Sequence, residues 1–134
     1  MPDVTIDWVG VIIATVAAMV IGGVWYGPLF GKRWAETTGK SLEEMRANGG
    51  LGYLVAALGA FVAAVVMSYV TQWANAEGFG EGALVGIVMW AGFTFSPVVT
   101  GPVFEGRPWE LIMLNSGNSL TTLIIVGGIV GAYN

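Results

Sequence analysis

Four long apolar stretches alternate with short polar segments, at about 8–26, 53–73, 83–103 and 109–133. Each holds about 20 residues. At about 1.5 Å rise per residue, a helix of that length matches a hydrocarbon core of about 30 Å. None carries Asp, Glu, Lys or Arg in its central part. The pattern predicts an all-α membrane protein, a single domain over 1–134 whose four transmembrane helices form two hairpins.

The ends of the first and third stretches echo each other. The first closes on Gly27-Pro28-Leu29-Phe30-Gly31-Lys32-Arg33-Trp34, the third on Gly101-Pro102-Val103-Phe104-Glu105-Gly106-Arg107-Pro108-Trp109. Proline disfavours the α region for the residue before it, and glycine tolerates the left-handed C-terminal position, so both Gly-Pro steps read as helix stops. Phe30 and Phe104 would then stay in the acyl boundary while Arg33 and Arg107 reach phosphates or helix-end carbonyls. The echo reads either as an internal repeat of parallel hairpins or as an accidental likeness of two helix ends. Between the first two stretches, Ser41-Leu42-Glu43-Glu44 fits a capping box and predicts a short amphipathic helix over about 42–47, lying on the membrane surface.

Within the stretches, small and polar residues fall at helical spacing. Gly52, Ala56, Ala60, Ala64 and Ser68 form an i+4 stripe on the second helix, and Ala14, Ala18 and Gly22 a shorter one on the first. Lipid cannot drive helices together by the hydrophobic effect, so close backbone approach across small residues must do so. Pro97 removes a backbone hydrogen bond and predicts a kink in the third helix, with Thr94, Ser96 and Thr100 nearby to re-satisfy freed carbonyls. On the fourth helix, Asn115, Asn118, Ser119 and Thr122 share an arc of roughly a quarter turn. Gly127 and Gly131 lie on the far side. Such a helix should be central, with protein or water on both faces. Its polar arc serves either as interhelical glue or as the lining of an ion or solute path.

Composition sharpens the class. The chain is 55% hydrophobic and 10% charged, against about 25% charged in soluble domains. Lys32, Arg33, Lys40 and Arg46 lie between the first two helices and Arg107 between the last two. The positive-inside rule therefore places both basic loops in the cytoplasm and both termini outside, in a multi-pass arrangement expected of a bacterial inner membrane. Trp8, Tyr69, Trp73 and Tyr133 would mark the outer interface, and Trp25, Tyr26, Trp34, Tyr53 and Trp109 the inner one. The leading residues carry Asp3 and Asp7 and no basic residue, unlike a secretory signal, so the first stretch reads as part of the mature protein.

The chemistry is sparse. With 0 His and 0 Cys there is no imidazole base, thiol nucleophile or thiolate metal site. Glu105, Arg107 and Glu110 form the one compact charged cluster, which reads as a clamp between the third and fourth helices. No glycine-rich phosphate loop or metal-ligand cluster is present in the sequence, so neither cofactor nor metal is expected. The net charge of -4 argues against a nucleic-acid partner.

The segment Trp25 to Lys32, with Phe104-Glu105-Gly106-Arg107-Pro108-Trp109 and the following Asn115-x-Gly117 step, resembles the membrane protein family labelled "domain of unknown function 1761". The likeness covers nearly the whole chain. It implies four transmembrane helices and supplies no activity. It also implies an aromatic-His pair where this chain has Asn118-Ser119, so a role resting on that histidine's proton has no group to carry it here.

Two functional expectations follow. The first is a non-enzymatic membrane protein that works by self-assembly, as a homo-oligomer or an accessory subunit of a membrane complex, through its small-residue faces. The second is a small channel or transporter for an ion or small polar solute, lined by Asn115, Asn118, Ser119 and Thr122 and shaped by Pro97.

Overall fold

The computed structural model describes residues 3–39 and 49–134. The expected surface helix over 42–47 and its capping box lie outside them. Among the described residues the chain is all-helical, with no strand. Three helices, Trp8–Leu29, Gly50–Trp73 and Trp109–Ala132, are long and apolar enough to cross a membrane, and a bent pair, Gly78–Thr94 with Ser96–Phe104, makes a fourth candidate span.

Helix α1 spans Trp8–Val24 and starts where Asp7 caps it, its carboxylate accepting from the Val9 and Gly10 amides at 3.1 and 3.2 Å. A π-helical turn, Trp25–Leu29, follows, and Gly27 leaves helical space at φ -108, ψ -107. Gly27-Pro28 therefore breaks the helix, but the chain resumes at once as α2, Gly31–Thr38, which ends at Gly39 with φ 72. The charged residues of this segment had read as loop. They sit instead on a short helix, with Trp34 half-buried and Lys32 and Arg33 exposed.

Helix α3, Gly49–Trp73, begins earlier than the expected 53. It closes through Asn75 in the left-handed region, φ 54, with the Ala76 amide donating to the Thr71 carbonyl at 2.8 Å. Helix α4 then runs Gly78–Met89, starting before the expected 83, and the Glu81 carboxylate reaches back to the Glu77 amide at 2.7 Å. Two π-helical turns, Trp90–Thr94 and Ser96–Thr100, continue the same span into α5, Gly101–Phe104.

Here the second Gly-Pro step departs from its expected role. Gly101 is helical, φ -58 and ψ -55, and the helix runs on through Pro102 to Phe104. Pro102 occupies a first-turn position after the π segment, where its missing N–H costs little. The actual stop is Gly106, φ 71, whose amide donates to the Val103 carbonyl at 3.1 Å. Pro108 then caps α6, Trp109–Ala132. The two copies of the motif thus fold differently: one breaks a helix and the other is threaded by one.

Helix α6 packs against α1, α3 and α4, so it is the centre of the bundle. The core joins Val11, Ala14 and Ala18 of α1, Ala64 and Met67 of α3, and Val126 and Val130 of α6. All lie in the half of the bundle that holds residues near both ends of the chain. There Gly10 lies beneath the Tyr133 ring, and Gly82 and Gly86 of α4 meet the α6 backbone at Gly127, Gly131 and Leu123 so closely that a Cβ at either would overlap a carbonyl oxygen. Ser68 and Thr71 are buried and satisfied by their own helix, donating to the Ala64 and Met67 carbonyls at 3.0 and 2.8 Å.

Candidate functional site on the fourth span

The polar arc of α6 lies in the other half, toward the loops that join α1 to α3 and α5 to α6. Asn115, Asn118, Ser119 and Thr122 are all half-buried. Large aromatic side chains from two neighbouring spans reach them. The Tyr26 hydroxyl donates to Asn115 Oδ1 at 2.6 Å, and Asn118 faces the same hydroxyl. Trp90 Nε1 donates to Ser119 Oγ at 2.8 Å, and Ser119 in turn donates to the Ser116 carbonyl at 3.0 Å. Trp25 Nε1 donates to the Leu114 carbonyl at 3.0 Å.

Helical phase aims Trp25, which follows Val11 and Ala18 at seven-residue spacing and so continues the buried face of α1. The π turn adds a residue to the helical repeat, with the Phe30 amide donating to the Trp25 carbonyl at 2.9 Å, and so rotates the following face relative to α1. Trp25 lies over Gly117, where a Cβ would come within 2.7 Å of Trp25 Cζ2, so the glycine makes room for the indole. Phe30 and Trp34 back the two rings, at centroid distances of 4.9 Å from Trp25 and 4.6 Å from Tyr26.

At the edge of this half, Arg33 pairs with Glu110, joining α2 to the start of α6. Arg107 pairs with Glu105 at 2.8 Å, within its own loop. The clamp expected within the Glu105–Glu110 cluster is therefore divided, and its cross-helix half uses the cation of the first motif. Both pairs are exposed, which limits each to about 0–1 kcal/mol. Their effect is geometric: the two loop motifs lie side by side at one end of the bundle.

Two polar atoms in the loop half, Asn118 Oδ1 and Ser116 Oγ, are buried without a hydrogen-bond partner. Chemically the arrangement is a neutral network of amides, hydroxyls and indoles, able to hold helices or orient a polar group, with no carboxylate or imidazole to take up a proton. At the far end, an open cleft of about 480 Å³ is lined by Thr5, Asp7, Trp8, Gln72, Tyr133 and Asn134. Its amides are already engaged: Gln72 and the Thr5 backbone bond in both directions at 3.1 and 2.9 Å, and Asn134 donates to Thr71 at 3.0 Å.

A family model described as "Protein of unknown function (DUF1761)" matches residues 9–131. The chain belongs to this family. No curated protein and no solved structure matched it. The DUF1761 match takes in the π turn, both loop motifs and the whole polar arc, while the family's description assigns them no activity.

Other residues singled out in the sequence are distributed unevenly over this DUF1761 chain. Ala64 and Ser68 are buried, Ala60 is half-buried, and Gly52 and Ala56 are exposed. Gly127 and Gly131 are buried against Gly82. Pro97 lies in the second π turn, next to a 48° bend. Phe104, at 88% exposure, and Trp109 face outward. Trp25 and Tyr26, placed at the inner interface from sequence, turn into the bundle and bond to α6. Trp90, Ser116 and the Gly82/Gly86 face had not been singled out. The signal for Trp90 was its place mid-way along an apolar stretch, where an indole N–H has no water and needs a protein acceptor.

Proposed function

We propose that this DUF1761 protein is a non-enzymatic, multi-pass protein of the bacterial cytoplasmic membrane that acts by assembling, with copies of itself or as an accessory subunit of a membrane complex. In this reading the basic loops face the cytoplasm and the termini face outward. The orientation is supported by Lys32, Arg33 and Arg107, which all lie at the loop end.

The observation that carries the assembly reading is the division of α3. Its half near the termini buries Ala64, Met67, Ser68 and Thr71, while its other half leaves Gly52 and Ala56 exposed, with open space at the Cβ positions of Gly52 and Gly59. In a bilayer, small residues stabilise a helix contact by admitting a second backbone. Self-association in lipid nanodiscs or native-membrane crosslinking tests it. The parent should form oligomers or a fixed complex, and Gly52→Leu with Ala56→Leu should release a folded monomer. A parent that stays single and partnerless overturns the reading.

A second reading, a channel or transporter for an ion or small polar solute, is favoured by the unpartnered Asn118 Oδ1 and Ser116 Oγ on the polar helix. Liposome flux that falls when Asn115 and Asn118 become Leu would support it. Flux absent from the parent, or unchanged in the variant, would remove it.

A further inference from the structure

The third span consists of two legs with unlike attachments. The α4 leg is fixed: Gly82 and Gly86 lie against the α6 backbone with no space for a Cβ. The α5 leg has no such hold. No residue of Ser96–Thr100 or Gly101–Phe104 is buried, and Val103 and Phe104 are 42% and 88% exposed.

Between the legs the backbone is built to bend. Trp90–Thr94 and Ser96–Thr100 are both π-helical, separated by Phe95, and the legs meet at 48°. A π turn departs from the regular α-helical ladder, and Pro97 lacks the N–H that would tie the lower leg to the turn above. Glycines 92 and 101 flank the bend with open space at their Cβ positions. The upper end of the bend is tied down by the Trp90–Ser119 hydrogen bond at 2.8 Å. The Phe95 ring meets Trp90 edge-on at 5.5 Å, so the residue at the joint touches the residue of the tie. Beside the tie, Ser116 Oγ is buried and unpaired.

We propose that the third span is a two-position hinge centred on Phe95, anchored above the joint by Trp90 on Ser119, and that its α5 leg swings over the polar half of α6. The α4 leg stays fixed as it does so. The hinge belongs to the single chain and stands whether or not copies assemble.

The chain has no cysteine, so introduced pairs can be spin-labelled cleanly. Val24→Cys with Val103→Cys reports the swinging leg, and Val16→Cys with Leu84→Cys reports the fixed one; all four positions are exposed. Pulsed electron-spin distances, taken with one copy per nanodisc, should give two populations for the first pair and one for the second. Trp90→Phe keeps the ring against Phe95 and removes the donor. It acts above the joint and should leave the two populations of the first pair in place. Pro97→Ala should collapse them to one. A single narrow distance for the first pair overturns the hinge even if Pro97→Ala fails to fold, and two populations that persist in a folded Pro97→Ala overturn it as well.

Discussion

The two halves of the bundle are held by different means. Near the termini, helices touch backbone to backbone, Gly82 against Gly127 and Gly131 and Gly86 against Leu123, and Gly10 lies under the Tyr133 ring. Toward the loops, they are spaced by large rings whose polar tips reach across: Trp25 to Leu114, Tyr26 to Asn115, Trp90 to Ser119. Glycine contact gains dispersion over many atoms and tolerates no intrusion. Ring-to-amide contact leaves the intervening space adjustable, and it is the half with π turns, a broken helix and unpaired polar atoms. One helix, α6, serves both halves by carrying glycines at one end and amides and hydroxyls at the other.

The largest expected effect therefore comes from the glycine half. Gly82→Leu forces a side chain into the Gly127 carbonyl, a neighbour that cannot rotate away. The variant should lose about 3 kcal/mol or more, or fail to fold, as read by thermal or denaturant unfolding in detergent. Gly128→Val meets the Phe79 ring instead, and a side chain can give way, so about 1–2 kcal/mol is expected. Equal losses at the two sites would show that backbone contact does not set the rigidity of this half.

Single hydrogen bonds come next. Tyr26→Phe leaves Asn115 Oδ1 without its donor, and about 0.6–1.7 kcal/mol should be lost in the same assay. Asn118→Leu removes an amide whose oxygen is already unpaired and should change stability by less than Tyr26→Phe does. A larger loss from Asn118→Leu would mean that the amide is a structural tie of the loop half. The smallest effect belongs to Arg33→Ala. The ion pair with Glu110 is exposed, and stability should change by about 1 kcal/mol at most, less at high salt.

The spans were legible because hydropathy needs only length and composition, and helices about 20 residues long leave little latitude. Which way a side chain faces was harder. Trp25 and Tyr26 sit near a helix end, the usual place for interfacial aromatics, although Trp25 also follows Val11 and Ala18 at seven-residue spacing and so continues the buried face of α1; the π turn that follows was the hidden part. No periodicity announces an inserted residue. Gly101-Pro102 misled for a related reason: a proline that follows a π segment begins a new first turn, whereas the same dipeptide after regular helix would end it. Lys32 and Arg33 looked like loop residues because charge after Gly-Pro suggests an exit from the membrane, yet charge is compatible with a short exposed helix. The polar arc was visible from spacing alone. Its partners were not, since Tyr26 and Trp90 come from other spans whose rotation the sequence leaves open.

Gly117 and Trp25 share one volume. The indole fills the space that any side chain at position 117 would need. The two positions therefore form a single unit of variation despite their distance along the chain. A drift to Ala or Ser at 117 displaces the indole and its bond to Leu114 unless position 25 has become smaller, and a return to Trp at 25 then meets the new side chain until glycine is restored. Changing both together is permitted where changing either first is costly, so the order of substitution constrains how this corner of the bundle can evolve.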